Sequence, residues 1–353
     1  MTIESFSIIL SLKLPVTLPI TLSNNLVRKE FLTMKKIDVT ALGELLIDFT
    51  ESGVSGQGNP LLEENPGGAP CNVLAMLSKL GRKTAFIGKV GSDSFGRRLK
   101  KAVSDAGIDI SGLVTDNNVN TTLAFVHTLA NGDRDFSFYR SPGADMMLTA
   151  DEVKKELVEK CRIFHFGTLS MTSDCCREAT QKAVAAAKDA GAIISFDPNI
   201  REPLWDSLDT ARERTIWGLT KCDILKISDN EIEWLTGEKD FYKAAAGLKK
   251  QYGIPLILVS LGRNGSLAFS DSACAEMPSF NVQTIETTGA GDTFCACVLN
   301  YVIENGLRDY SSEELSQMLR FANAAAAIIT TRKGALAVMP EKNEIIKLIE
   351  NNI

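Results

Sequence analysis

The sequence predicts a three-layer α/β fold in which a mostly parallel β-sheet lies between helices, with a smaller β-sheet attached. Three observations predict this fold. Short apolar runs of strand length alternate with segments of helical periodicity, which implies a parallel sheet covered on both faces. Two further stretches interrupt that rhythm with the pattern of half-exposed strands. The chain has 353 residues, of which 44% are hydrophobic, and this is enough for a large buried core.

The elements follow one another along the chain from residue 36 onward. Strands are predicted at 37–42, 84–87, 163–166, 193–196, 224–227 and 256–259. Helices are predicted at 73–80, 95–106, 177–190, 231–235, 241–252 and 296–304. In a parallel sheet of this kind, the ligand site belongs beyond the carboxyl ends of the strands.

The smaller sheet is predicted from two segments, at about 45–64 and 120–141. After an apolar run at 45–49, a region rich in Gly and Asn at 53–66 is interpreted as a turn region. Alternating runs at 122–129 and 135–140 are joined by Asn-Gly-Asp at 131–133, which is a hairpin signal. We expect these strands to form a lid over the ligand site.

Residues 1–33 are predicted to be a separate, dispensable extension, and 34–353 to be the folded domain. The apolar stretch at 8–12 is followed at once by Lys13 and then by Pro15, so it is too short for a transmembrane helix. A secretory signal is disfavoured because no small-residue cleavage site follows. A transit peptide is the remaining alternative.

The charge balance limits the classes of partner. Lys and Arg number 38, Asp and Glu number 44, and the formal net charge is −6. Nucleic acids and anionic membranes are bound through concentrated basic patches, and the chain has no long run of Lys or Arg. We therefore expect neither as the principal partner.

Histidine and cysteine counts limit the chemistry and the compartment. The two histidines, His127 and His165, are too few for a metal site built from several histidines. We expect His165 in a buried strand and His127 in a lid strand, neither of them catalytic. The eight cysteines form no CxxC pair, so they are interpreted as reduced thiols of a cytoplasmic protein.

A glycine turn late in the chain carries the strongest chemical signal. The sequence has no P-loop motif, but Thr-Thr-Gly-Ala-Gly-Asp at 287–292 runs into an apolar helical pattern. Backbone N–H groups of Gly289, Ala290 and Gly291 would then bind phosphate at a helix N-terminus. Asp292, beside that turn, could accept a proton from an attacking hydroxyl. The alternative is that Asp292 simply caps the helix.

A second glycine turn lies near the amino end of the domain. The segment Gly-Gly-Ala-Pro-Cys-Asn at 67–72 also leads into a helical pattern. Gly67 and Gly68 permit close approach of a ligand, and Asn72 offers both a donor and an acceptor to a polyol. By itself this segment is more often only a loop.

Together the two turns resemble the signatures of the ribokinase-like carbohydrate kinase family. They occur in the family's order, about two hundred residues apart, and the Gly-Lys-Val-Gly turn at 88–91 is similar to a third family element. The resemblance extends from about residue 36 to the end of the chain. It implies a ribokinase-like fold, and phosphorylation of a sugar hydroxyl by ATP with Mg²⁺.

Two segments resemble fructokinases within that family. One segment is Phe-Tyr-Arg at 138–140 with Ala-Asp-Met at 144–146. The other is Asp-Pro-Asn-Ile-Arg-Glu-Pro-Leu-Trp at 197–205. The implied reaction is transfer of the γ-phosphate of ATP to the 6-hydroxyl of fructose, with Asp292 as general base. A 2-keto-3-deoxygluconate kinase or another sugar or nucleoside kinase of the family is the alternative. A non-catalytic fructokinase-like binding protein is the alternative of another class, and the intact glycine turn argues against it.

The resemblance also implies residues for the sugar. Asp48 would accept hydrogen bonds from sugar hydroxyls, together with Gly67, Gly68 and Asn72. Phe125 and Phe138 would cover the apolar face of the sugar, with packing inside the lid or at a dimer interface as the alternative. Arg201 and Arg140 would supply positive charge, with surface ion pairs as the alternative. Exposed lid strands make a homodimer through the lid an expectation.

The nucleotide and metal residues are implied in the same way. Glu231 is the residue linked to Mg²⁺ through water, although Ser228 stands where the family has Asn. The residues expected at the nucleotide are Lys226, Ser228, Ser260, Gly262, Gly265 and Asn323. Glu286 replaces an Asp that the family associates with a monovalent-cation loop, so potassium activation is an open alternative.

Overall fold

The computed structural model describes residues 35–128 and 134–352 of the chain. The predicted extension 1–33 and the predicted turn at 131–133 lie outside the described residues. The described strands are β1 (Ile37–Leu42), β2 (Leu46–Val54), β3 (Pro60–Gly67), β4 (Thr84–Gly91), β5 (Asp109–Asp116), β6 (Leu123–Thr128), β7 (Arg134–Tyr139), β8 (Cys161–Gly167), β9 (Ile193–Asp197), β10 (Ile224–Ser228), β11 (Leu256–Ser260), β12 (Ser266–Phe269) and β13 (Cys274–Met277).

The described helices are α1 (Ala69–Lys79), α2 (Ser94–Asp105), α3 (Lys155–Glu159), α4 (Asp174–Asp189), α5 (Leu208–Leu219), α6 (Asp229–Thr236), α7 (Phe241–Tyr252), α8 (Ala290–Asn305), α9 (Ser312–Ile329) and α10 (Lys342–Glu350). In the part of the chain that the structure describes, none of these helices is long and apolar enough to cross a membrane.

The main sheet has nine strands in the order β13-β12-β11-β10-β9-β8-β1-β4-β5. The seven strands from β11 to β5 are parallel, and β12 and β13 add an antiparallel edge. The prediction of a mostly parallel sheet is therefore confirmed. The carboxyl ends of the parallel strands meet at one edge, where ligand sites of such sheets form.

Helices cover both faces of this sheet because its central strands are apolar on both sides. In β11, Leu256 and Leu258 pack in one hydrophobic cluster with α1, α8 and α9. The alternate residues Ile257 and Val259 pack in a second cluster with α4 and α7. The two clusters are the cores on either side of the sheet, and they confirm the three-layer prediction.

The smaller sheet has four strands in the order β3-β2-β6-β7. Strand β2 pairs antiparallel with β3 and parallel with β6, and β6 pairs antiparallel with β7. The prediction of a turn region at 53–66 is wrong over most of its length, because β3 occupies Pro60–Gly67. Most of β3 is exposed and lacks an apolar pattern, so pairing with β2 rather than burial forms the strand.

Candidate active site

A cleft of about 550 Å³ lies at the carboxyl ends of the parallel strands, beneath the four-stranded sheet. Its volume is in the range of sites for small molecules. The structure brings most of the predicted site residues to its wall: Asp48, Gly68, Asn72, Phe138, Arg201, Lys226, Ser228, Glu231, Ser260, Gly262, Gly289, Gly291 and Asp292.

The late glycine turn forms the start of helix α8. Gly289 is the N-cap residue, with a left-handed φ of 78°, and no side chain among the described residues caps this helix. A Cβ at Gly289 would lie 2.9 Å from the Cβ of Ala335, so the turn requires glycine on steric grounds as well. The first-turn N–H groups of a helix have no acceptor within it and carry the positive end of its dipole. The turn can therefore bind an anion in the cleft.

Asp292 lies in the first turn of α8 and does not cap it, so the capping alternative is wrong. Its Oδ2 instead accepts a hydrogen bond of 2.8 Å from Nδ2 of Asn72, which joins the two glycine-turn motifs. Burial raises the pKa of Asp292, while the Asn72 hydrogen bond and the charges of Lys226 and Arg201 oppose that rise. A buried carboxylate of raised pKa beside an anion site has the properties of a general base.

Asp48 lies on the lid side of the cleft, on strand β2. Burial raises the pKa of Asp48 to about 7, with Arg201 opposing and Glu286 and Asp292 adding to the rise. Gly67 does not line the cleft, but a Cβ there would lie 2.4 Å from Oδ2 of Asp48. Gly67 therefore makes room for this carboxylate.

Glu44 is a cleft residue that the sequence analysis did not single out. It is 4% exposed, and its Oε1 accepts a hydrogen bond of 2.8 Å from the N–H of Ala69 at the start of α1. Burial raises the pKa of Glu44 to about 7. The position of Glu44 just after the first strand was the sequence signal that could have identified it. Through the hydrogen bond to Ala69, its carboxylate holds the residue that follows the Gly67–Gly68 turn.

Lys226 and Asp197 form a buried ion pair at the floor of the cleft. The Nζ of Lys226 lies 2.9 Å from Oδ2 of Asp197. Burial alone would lower the pKa of Lys226, but Asp197, Glu231 and Asp292 together raise it above its usual value. A Cβ at Gly291 would lie 3.1 Å from this Nζ, so the ammonium is next to the anion turn. The end of a buried strand was the signal for Asp197.

Glu231 and Ser228 line the cleft at the start of α6. They form a reciprocal capping box, and Oε1 of Glu231 also accepts a hydrogen bond of 2.7 Å from the N–H of Ile200. No group of three His, Cys, Asp or Glu side chains in the described ranges could hold a metal by itself. Glu231 places one carboxylate at the cleft wall, and Mg²⁺ is commonly held by one or two carboxylates together with substrate phosphates.

Besides Gly67, two predicted substrate residues are not among the described residues that line the cleft. Phe125 faces the other side of the lid sheet, where its ring stacks on Phe49 at 5.0 Å. Arg140 is buried in an ion pair with Asp145, at 2.7 Å, and it also donates to Oγ1 of Thr172. The lid-packing alternative fits Phe125, and Arg140 forms a buried rather than a surface ion pair.

Two predicted nucleotide residues also lie off the cleft wall. Asn323 accepts a hydrogen bond from Ser266 and donates to the carbonyls of Met277 and Pro278. Gly265 has a φ of 107°, and a Cβ there would lie 2.1 Å from the carbonyl oxygen of Met277. Both hold the antiparallel edge of the sheet beside the cleft.

The two remaining groups of interest are His165 and Glu286. His165 is buried and contacts Oγ of Ser195 at 3.0 Å, and burial lowers its pKa to about 3. It is a core residue, as predicted; the side chain of His127 lies outside the description. Glu286 accepts hydrogen bonds from the N–H of Gly334 and from Oγ1 of Thr288, so it ties the anion turn to the loop around 334.

Comparisons with known proteins give similarity along nearly the whole domain. The profile of the pfkB family carbohydrate kinases matches residues 36–342. Fructokinase-1 of Zea mays is 41% identical over 314 residues, which are 88% of this chain and 97% of that protein. The crystal structure of fructokinase with bound ATP from Xylella fastidiosa has a TM-score of 0.81 and 31% identity, covering 89% of this chain and 98% of the other. Fructokinase from Vibrio cholerae O395 in fructose, ADP and calcium ion bound form has a TM-score of 0.79 and 27% identity, covering 89% and 99%.

Proposed function

The chain belongs to the pfkB family of carbohydrate kinases, and from this premise we propose that it is an ATP-dependent fructokinase. One observation carries the proposal. A single cleft combines an uncapped helix N-terminus at Gly289–Gly291 with the buried carboxylate of Asp292, which Asn72 holds by a hydrogen bond. An anion site next to a base is what transfer of a phosphoryl group to a hydroxyl requires.

The proposed chemistry depends mainly on position and charge. The 6-hydroxyl of fructose gives its proton to Asp292 as its oxygen attacks the γ-phosphorus of ATP, and ADP leaves. The N–H groups of Gly289, Ala290 and Gly291 stabilise the negative charge on the transferred phosphoryl oxygens. Asp292 then carries the proton until solvent or product removes it.

Recognition of the two substrates is assigned to opposite sides of the cleft. Asp48 and Asn72 bind sugar hydroxyls beneath the lid, and Phe138 covers the sugar. The nucleotide is bound by Lys226, Ser228, Ser260 and Gly262. Closure of the lid over the cleft would exclude water and so suppress hydrolysis of ATP.

Mg²⁺ near Glu231 would neutralise charge on the ATP phosphates when bound. The structure of a relative with fructose, ADP and a calcium ion supports the use of a divalent cation. The carboxylate of Glu286 accepts hydrogen bonds from Gly334 and Thr288, and potassium activation stays an open alternative.

The experiment that tests this function compares substrates. We expect ADP formation with fructose at a higher kcat/KM than with ribose, adenosine or 2-keto-3-deoxygluconate. A preference for 2-keto-3-deoxygluconate would favour the alternative in which Arg201, at the cleft wall, binds the substrate carboxylate. A preference for any of the three overturns the fructokinase assignment.

The same assay tests whether the fold is catalytic or only a binding module. Replacing Asp292 by Ala should lower fructose-dependent ADP formation by about 100-fold or more, the usual contribution of a general base. A loss of less than about tenfold would mean that Asp292 is not the base. Absence of activity in the wild-type protein, with fructose binding retained, would favour the non-catalytic alternative.

The assembly and location complete the proposal. We propose that two chains associate through the lid, because Val54, Leu61, Leu62 and Tyr139 leave large apolar surfaces exposed there. We place the reaction in the cytoplasm, and the eight cysteines support this because all of them are free thiols.

A further inference from the structure

Two cations line the cleft among the described residues, Arg201 and Lys226, and they differ in their surroundings. Arg201 is exposed, whereas Lys226 is only 7% exposed and sits at the floor. Parallel pairing of β9 with β10 matches Leu225 with Phe196, so the next pair along the strands is Lys226 with Asp197. The sheet itself therefore fixes where this ammonium lies.

We propose that Lys226, held in place by Asp197, is a positioning residue that keeps Asp292 ionised and ready to accept the substrate proton. The inference rests on the proposed function, because it concerns the base of that reaction. The ammonium of Lys226, already assigned to the nucleotide, would then have a second role beside Asp292.

The geometry supports this role. The ammonium lies 2.9 Å from Oδ2 of Asp197 and is next to Gly291, the residue before Asp292 in the first turn of α8. Burial penalises the charged form of this carboxylate and raises its pKa, and the charge of Lys226 opposes that rise. The Asn72 hydrogen bond stabilises the carboxylate but brings no charge.

The charged and titratable groups that act on Asp292 come from every side of the cleft. Lys226 on β10 and Arg201 after β9 lower the pKa of Asp292. Helix α1 contributes the neutral Asn72, and Glu231 on α6 acts on Lys226 and Asp197. The acidic groups coupled to Asp292 are Asp48 on β2, Asp197 at the end of β9 and Cys295 on α8. Lys226 is the buried cation opposing them.

The test follows the pH dependence of kcat at saturating fructose and ATP, whose acidic limb reports ionisation of the base in the enzyme–substrate complex. Saturation separates the base from Asp48, whose protonation alters fructose binding. Lys226→Met removes the ammonium, so the acidic limb should move to higher pH by about one unit. The double variant Lys226→Met with Asp197→Asn should have its limb at higher pH than Asp197→Asn alone, because these two proteins differ only in the ammonium. That variant leaves no unpaired ion at Asp197, which favours folding.

Two variants that retain a cation are the matched controls. Lys226→Arg keeps a positive charge, and Asp197→Asn keeps the ammonium while removing its partner. Both should leave the acidic limb at or below its wild-type pH, even where kcat falls. If the ion pair only stabilised the packing of β9 against β10, Asp197→Asn and Lys226→Met would shift the pH of the acidic limb alike.

Each outcome decides the matter. A Lys226→Met limb at the wild-type pH overturns the proposal, and so does an Asp197→Asn limb at higher pH. If the single Met variant does not fold, the double variant measured against Asp197→Asn decides by the same criterion.

A second readout separates this inference from the proposed function. Infrared difference spectra across pH, compared with Asp292→Asn, identify the carbonyl band of protonated Asp292 without any turnover. The band should appear at higher pH in Lys226→Met than in the wild type. If fructose is not a substrate but the band shifts in this way, the proposed function fails and the positioning role stands.

Discussion

At the scale of single residues, Asp48 shows how one position combines a steric and an electrostatic requirement. Its carboxylate occupies space that a side chain at Gly67 would fill, and burial raises its pKa to about 7. Only the ionised form accepts hydrogen bonds from hydroxyls at both oxygens. The affinity for sugar should therefore depend on pH near neutrality.

We predict that fructose binds more weakly as the pH falls below about 7, because protonation removes the charge of Asp48. Asp48→Asn should weaken binding by about tenfold or more at pH 8, the value of a hydrogen bond to a charged group. Its remaining affinity should vary little with pH. Calorimetric titration of fructose without ATP measures both effects and does not involve proton transfer to Asp292. An Asn variant with the wild-type pH dependence would contradict the assignment.

Other residue-scale predictions depended on which way a side chain faces. Phe125 and Phe138 both lie on lid strands, yet only Phe138 lines the cleft, while Phe125 stacks on Phe49. Residues of a strand alternate between two faces, and the sequence does not say which face covers the site. Arg140 was predicted at the substrate but lies in a buried ion pair with Asp145, a contact that depends on how the chain folds after Arg140.

At the scale of elements, the start of helix α8 is the part that the sequence predicted best. Glycines before an apolar helical pattern indicate an anion-binding N-terminus, and Gly289 adopts the left-handed φ that glycine permits. The turn also packs against Ala335, so its position depends on a distant loop.

We predict that Gly289→Ala lowers kcat/KM by about 100-fold, because the new Cβ would lie 2.9 Å from the Cβ of Ala335 and would displace the turn. It should also lower the free energy of unfolding by about 1 kcal/mol through the strained φ. Steady-state kinetics and urea unfolding measure the two effects.

Gly237→Ala is the matched control for this change. Gly237 has nearly the same backbone angles, φ 70° and ψ 3°, but a Cβ there would have no atom within 4 Å. We expect a similar loss of stability with unchanged kinetics. Equal activity of the two variants would show that the position of the turn does not matter.

Two of the strands that the sequence missed, β3 and β13, share a physical cause. Strand β3 is mostly exposed and β13 is an edge strand, so neither needs a continuous apolar pattern. Their hydrogen bonds to β2 and β12 form them instead. Strand pairing is a contact between two segments, and the hydrophobic pattern of one segment does not show it.

At the scale of the whole molecule, the lid sheet carries large apolar side chains that are exposed. Val54 is 68% exposed, Tyr139 67% and Leu61 47%, and all three lie on the four-stranded sheet. Exposed apolar side chains on a sheet with open edges are typical of a self-association surface.

We predict that the protein has the mass of two chains in light scattering and that Leu61→Glu lowers it to one, because a buried charge without a partner opposes association. Leu208→Glu is the control, since Leu208 is 44% exposed but lies on α5, away from the lid strands. A mass of one chain for the wild type, or loss of the dimer in both variants, would contradict association through the lid.

The sequence by itself determined the class of the fold and the two glycine turns, because these depend on local patterns. Apolar runs predict buried strands, and glycines before a helical pattern predict a backbone turn that can bind an anion. Only the tertiary structure decided which residues meet. Asn72 reaches Asp292 across 220 residues, and the strand register sets Lys226 beside Asp197. Burial then raises the pKa of Glu44, Asp48 and Asp292, and burial arises only when the chain has packed.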